Sequence, residues 1–79
     1  MKLPRAVSAG TLIRALEGLG YRFVRQKGSH VRLRHEGPPA HSISIPQHDS
    51  LKVGTLHGIL AEVAQFRAVT AETLAALLS

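Results

Sequence analysis

The segment that decides the fold is residues 30–35, which read HVRLRH and alternate between polar and apolar side chains. Alternation with a period of two is typical of a β-strand with one buried face. Val31 and Leu33 are therefore expected to face the core. The opposite face carries His30, Arg32 and Arg34, so the pattern predicts a strand whose solvent side is cationic.

Two further strand candidates flank this segment. Residues 21–26 are rich in β-formers and join it through a tight turn at residues 27–29, Lys-Gly-Ser. After a predicted Gly-Pro-Pro loop at residues 36–41, residues 42–45 alternate again, with both isoleucines inward. Pro46 ends that strand because proline has no amide proton for the ladder. Short connections between successive strands predict an antiparallel sheet.

Helical periodicity is found on both sides of the strands. Residues 8–19 carry an apolar stripe, with Ser8 as the expected N-cap and Gly20 as the expected left-handed cap at the end. A second helix starts somewhere between Asp49 and Thr55. Its predicted apolar stripe consists of Val53, Leu56, Ile59, Leu60 and Val63.

A third, short helix is predicted at about residues 71–78, capped by Thr70. Its predicted apolar face is Leu74, Leu77 and Leu78. The fold class is thus α+β, with the order α-β-β-β-α, a three-stranded antiparallel sheet, both main helices on one face and a C-terminal helix. With 79 residues, the chain is expected to form a single domain, its core at about 8–64.

Charge favours an anionic partner. The net charge is +5, and five of the ten basic residues lie between positions 22 and 34 with no acid among them. Nucleic acid is the first candidate, and a merely solvated basic surface is the alternative. No apolar run approaches the ~20 residues of a membrane span, so a cytoplasmic protein is expected.

Five histidines raise the question of a metal site. His30 and His35 are an odd number of positions apart, which places them on opposite faces of a regular strand. The sequence has no cysteine and few acids to complete a ligand shell, so neither a metal site nor a cofactor is expected. His41, in the predicted loop, and His57, in the second helix, are expected to be exposed.

One simple chemistry fits the cationic strand. RNA supplies its own nucleophile, the 2′-hydroxyl, so cleavage needs only proton transfer and stabilisation of negative charge on phosphorus. A histidine can transfer protons near neutral pH, and Lys or Arg can stabilise the charge. His30 among its cations meets both needs. The competing interpretation is that His30 is one more polar residue on a solvated strand face.

Two motifs resemble the HicA (YcfA-like) toxins, small bacterial mRNA interferases of type II toxin–antitoxin systems. They are Arg-Gln-Lys-Gly-Ser-His at residues 25–30, and Ile-Pro-Gln-His at 45–48 followed by Leu-Lys-Val-Gly-Thr-Leu at 51–56. The resemblance implies a fold like that of double-stranded-RNA-binding domains and metal-independent endoribonuclease activity on mRNA. It also implies a HicB-type antitoxin as partner, one that covers the active surface. By the Gly-Ser-His motif, the family's catalytic histidine maps onto His30.

The remaining site residues are expectations of the same kind. His48 is an auxiliary candidate for the second proton-transfer role, by loop proximity only. Lys52 is the only lysine where duplex-RNA binders usually place a lysine cluster, which argues against simple duplex binding. The expected RNA-binding residues are Arg25, Lys27, Gly28, Ser29, Arg32 and Arg34. Many family members have a second histidine where Val31 stands, and proline often occupies the position of Val53. A non-catalytic RNA-binding or partner-binding module of the same fold remains the alternative.

Overall fold

A computed structural model describes residues 6–78 of the chain. The elements are α1 (Ala9–Gly18), β1 (Arg22–Lys27), β2 (His30–His35), β3 (His41–Pro46), α2 (Val53–Arg67) and α3 (Ala71–Ala76). The strands form one antiparallel sheet in the order β1-β2-β3. The predicted α-β-β-β-α order with a short C-terminal helix is confirmed.

The predicted register of the sheet is confirmed on its inner face. Val31 and Leu33 on β2 are buried, as are the two isoleucines of β3, and they pack with α1 and α2 in one apolar cluster. On the outer face His30 and Arg34 are exposed. Arg32 is half-buried rather than fully exposed, because its guanidinium lies along the sheet and donates to Ser44 Oγ at 3.0 Å.

Local sequence signals set the ends of α1. The Ser8 side chain accepts a hydrogen bond from the Thr11 amide, so the predicted N-cap is confirmed. Gly20 has a φ of +105°, and a Cβ there would lie 2.8 Å from His35 Nε2. The left-handed backbone and the close histidine both require glycine at this position.

The apolar stripe predicted for α2 is wrong at its first residue. Val53 is 63% exposed, because it begins the helix and lies before the turns that reach the sheet. The rest of the stripe is buried: Leu56, Ile59, Leu60 and Val63.

The third helix is shorter than predicted and buries a narrower face. Thr70 caps it, its side chain accepting from the Thr73 amide, as expected. Leu74 and Leu78 are buried four positions apart. Leu77 is 50% exposed, because the helix ends at Ala76 and this side chain lies off the buried face.

The prediction for His41 is wrong in both its parts. The residue opens β3 rather than lying in the preceding loop, and it is buried, with 6% exposure. The alternation that buries Ile43 and Ile45 extends two positions further and carries His41 to the inner face. There it pairs with His35 of β2 in the sheet register.

None of the helices found in residues 6–78 is both long and apolar enough to span a membrane.

Candidate nucleic-acid interface

A two-residue turn places Lys27 and His30 side by side. These two residues are register partners at the end of the β1-β2 hairpin, and Gly28 and Ser29 form the turn. Gly28 has a φ of +58°, which suits the first central position of a tight hairpin turn. Nothing lies within 4 Å of the position where its Cβ would be, so the turn is open on that side.

His30 lies in a shallow cationic depression on the outer face of the sheet. The depression has a volume of about 240 Å³ and is lined by Arg25, Lys27, His30, Arg32 and Ser44. His30 is exposed, and no residue among 6–78 forms a hydrogen bond with its ring. Both ring nitrogens are therefore free to meet a ligand, in a setting that attracts phosphate.

The two arginines of β2 differ in how they are held. Arg32 NH1 donates to Ser44 Oγ at 3.0 Å, which orients the guanidinium at the floor of the depression. Arg34 donates to Ser42 Oγ at 3.3 Å and forms an ion pair of 3.0 Å with Glu36. Because Glu36 partly neutralises Arg34, Arg32 is the better placed of the two to contact a bound anion.

Several expected site residues are not among those lining the depression. Arg34 lies two residues beyond Arg32 on β2, and Gly28 and Ser29 form the turn between β1 and β2. His48 is exposed in the segment between β3 and α2, where its carbonyl accepts from the Ala9 amide at 3.0 Å. Lys52 is the exposed N-cap residue of α2. The structure thus brings together three of the expected RNA-binding residues with His30: Arg25, Lys27 and Arg32.

Ser44 and Arg22 are among the residues of this face that were not predicted as site residues. Ser44 lines the depression and orients Arg32. The Ser-Ile-Ser-Ile alternation of residues 42–45 carries the signal, because it places both serines on the outer face. Arg22 is the register partner of Arg34, but it donates to the Glu17 and Tyr21 carbonyls.

The inner face holds a second histidine environment. Tyr21 Oη lies 2.6 Å from His41 Nδ1, and His41 Nε2 lies 2.7 Å from Glu62 Oε2. The imidazole stacks on Phe66 with ring centroids 4.0 Å apart. Burial raises the pKa of the Tyr21 phenol; the Arg67 charge opposes the shift and Glu62 adds to it. The phenol therefore stays protonated at neutral pH and can donate to the imidazole.

Within residues 6–78, no three His, Asp or Glu side chains lie close enough together to hold a metal ion.

Comparison with known proteins decides the family. Residues 10–64, well over half of the chain, match the family described as "HicA toxin of bacterial toxin-antitoxin". The chain belongs to the HicA toxin family. It is accordingly a toxin of a toxin–antitoxin system, and membership implies a cognate antitoxin as partner. No curated protein and no solved structure matches this HicA-family chain.

Proposed function

We propose that this HicA-family toxin is an endoribonuclease that cleaves mRNA, with His30 as the proton-transfer group. The observation that carries the proposal is the environment of His30: an exposed imidazole, unpartnered within residues 6–78, in a depression lined by three cations. A phosphodiester drawn to the cations would meet an imidazole whose nitrogens are not engaged elsewhere. An mRNA substrate sets the place of action in the cytoplasm.

The reaction needs only the chain, its substrate and water. His30 takes the proton from the 2′-hydroxyl, whose oxygen attacks the adjacent phosphorus. The bond from phosphorus to the 5′-oxygen breaks, and this leaving oxygen takes a proton from water. The products are a 2′,3′-cyclic phosphate and a 5′-hydroxyl end. Proton transfer by a positioned side chain accelerates such a step by about 10²–10⁴-fold.

Each of the surrounding residues has its own role in binding the RNA. Arg32 is oriented in advance by Ser44, so it is placed to stabilise charge on the phosphorus oxygens. Arg25 and Lys27 bind the scissile and neighbouring phosphates, and Arg34 binds the backbone one step further along β2. The turn of Gly28 and Ser29 lets the RNA backbone approach closely. His48 is the auxiliary candidate for the second proton-transfer role, as an alternative to water. Lys52 is the auxiliary candidate for contact with a flanking phosphate.

The test is cleavage of a labelled single-stranded RNA by the purified chain in excess chelator. We expect cleavage to persist and to leave a 2′,3′-cyclic phosphate. A matched substrate with a single 2′-deoxynucleotide at the cleavage position should resist cutting there, because the nucleophile is missing.

Two outcomes would contradict the proposal. Cleavage of the 2′-deoxy substrate at the same position would exclude attack by the 2′-hydroxyl. Binding of RNA without any cleavage, in a preparation that arrests growth when expressed, would replace catalysis by a non-catalytic RNA-binding role.

A further inference from the structure

The free edge of β3 offers unpaired backbone groups to a further strand. Antiparallel strands alternate between residue pairs that exchange backbone hydrogen bonds and pairs that do not. The Gln47 amide donates to the Ser29 carbonyl at 2.6 Å, which fixes this alternation along the β2-β3 register. Residues 41, 43 and 45 therefore bond to β2, while the amides and carbonyls of Ser42 and Ser44 point away from it. Within residues 6–78 no strand pairs with that side.

A groove runs beside this free edge. It has a volume of about 470 Å³ and lies between β3 and α2. Gly54 and Gly58 line the helical side, and a Cβ at either position would meet nothing within 4 Å. At one end, the hydrogen bond between His41 and Glu62 joins β3 to α2. The groove therefore leaves room beside β3 that no described side chain fills.

The opposite edge of the sheet is protected in a way that β3 is not. β1 carries Arg22, Arg25 and Lys27 and has a register irregularity between Phe23 and Arg25. Basic side chains and bulges are the usual means by which natural sheets prevent strand addition. Between its histidine and its terminal proline, β3 has neither: its outward residues there are two serines. The difference marks β3 as the edge that is left available.

We propose that the free edge of β3 binds an extended strand of the cognate antitoxin, with acidic side chains on the outer face of the sheet and small side chains over Gly54 and Gly58. The backbone of an added strand can accept from the amides of Ser42 and Ser44 and donate to their carbonyls. An RNA phosphate matches only the two amides, because it accepts hydrogen bonds and donates none. The proposal requires family membership, which implies an antitoxin, and its link to inhibition rests on the proposed function.

The positive charge near this edge favours acidic side chains on the incoming strand. Arg32 and Arg34 reach towards this edge and donate to the hydroxyls of Ser44 and Ser42. Alternate residues of an added strand would lie beside those serines, so carboxylates there could accept from the same guanidinium groups. A second copy of this chain would instead bring its own arginines to the edge, against a net charge of +5.

Strand addition at this edge would also affect the depression around His30. Arg32 lines both the groove and the depression around His30. A carboxylate that holds Arg32 at the β3 edge would withdraw it from the RNA phosphate. The depression would then lose one oriented cation, which would weaken its affinity for RNA.

The edge can be tested with a defined probe, a capped eight-residue peptide that alternates glutamate and valine. A peptide alternating lysine and valine is its control. Hydrogen exchange of the whole chain, followed by NMR, should show slower exchange at the Ser42 and Ser44 amides with the glutamate peptide only. Gly58→Phe, which fills the groove, should abolish this protection. Ala61→Phe, at an exposed α2 position not lining the groove, should retain it.

Several results would overturn the proposal. They are protection along β1 instead of β3, protection that survives Gly58→Phe, or chemical-shift changes confined to the arginines. Slower exchange at the Ser42 and Ser44 amides with a short oligoribonucleotide, but not with the peptide, would assign the groove to RNA. If Gly58→Phe fails to fold, Ser42→Pro takes its place, since it removes an outward amide without breaking a bond to β2.

The same variants can be tested for binding to the antitoxin itself, expressed from its own gene and purified. Gly58→Phe should weaken antitoxin binding at least tenfold by calorimetry, whereas Ala61→Phe should bind as the unaltered chain does. Calorimetry measures antitoxin binding and does not depend on RNA cleavage. A chain that binds the antitoxin as expected but does not cleave RNA would therefore contradict the proposed function and leave the binding edge unaffected. Unchanged antitoxin affinity in folded Gly58→Phe would count against the edge alone.

Discussion

His30 and His41 lie on neighbouring strands of one sheet and have opposite surroundings. His41 is buried between a phenol and a carboxylate, with both ring nitrogens engaged and Phe66 stacked on it. His30 is exposed among cations, and no described residue bonds to its ring. The two residues are of the same type, and their surroundings differ because they lie on opposite faces of the sheet. The inward histidine is held as part of the core, and the outward one is left able to react.

The largest effect on stability is expected from His41→Ala. The truncation opens a cavity and leaves the Tyr21 hydroxyl without its partner, so the free energy of unfolding should fall by about 2–4 kcal/mol. Urea unfolding followed by circular dichroism measures the loss. The matched control is His57→Ala, an exposed histidine on α2. An unchanged unfolding midpoint in His41→Ala would remove the contrast between the two histidines.

A smaller effect is expected from Tyr21→Phe, which keeps the ring and deletes the hydroxyl. The His41 imidazole loses one hydrogen-bond partner, which should cost about 1–2 kcal/mol. Equal stability of Tyr21→Phe and the unaltered chain would show that the 2.6 Å contact contributes nothing.

The same phenol predicts a pH dependence. Burial raises the pKa of Tyr21 above its ordinary value of 10.0, so the folded chain holds this proton more tightly than the unfolded chain. The resulting stability is complete below pH 10.0 and is lost as the pH rises above it. Unfolding midpoints measured through this range should fall less steeply in Tyr21→Phe. If the midpoints of Tyr21→Phe and of the unaltered chain fall equally steeply with pH, Tyr21 is not the source of this pH dependence.

On the outer face, Arg32→Ala should weaken RNA binding for any sequence. Removing one phosphate contact lowers the slope of log affinity against log salt concentration by about 0.7–1. Arg14→Ala is the matched control, because Arg14 is exposed on α1, away from the depression. Equal losses from both substitutions would mean that RNA senses only the overall positive charge.

The smallest effect is expected from His30→Ala on stability. The side chain is exposed and unpartnered within residues 6–78, so the free energy of unfolding should change by no more than about 0.5 kcal/mol. A loss as large as that of His41→Ala would show that His30 has a structural role.

The sequence predicts the sheet well because alternation is a strong local signal. The inward positions of Val31 and Leu33 and the outward position of His30 follow from residues 30–35 alone. The same rule, extended from Ile45 back to residue 41, would have placed His41 inside. The Gly-Pro-Pro segment just before it suggested a loop instead.

Other features depend on contacts that no local pattern contains. Nothing near Glu62 in the sequence indicates that it meets His41, 21 residues away, because the packing of α2 on the sheet creates that pair. The orientation of Arg32 by Ser44 likewise requires the β2-β3 register. The cationic character of the site was therefore predictable, whereas its internal arrangement was not.

The most direct test of the central claim is the single-turnover rate of RNA cleavage by folded His30→Ala, measured beside His57→Ala. General acid–base catalysis by His30 predicts a fall of about 10²–10⁴-fold for the first variant and an unchanged rate for the second. Cleavage by folded His30→Ala at the unaltered rate would contradict the assignment of His30 as the proton-transfer group.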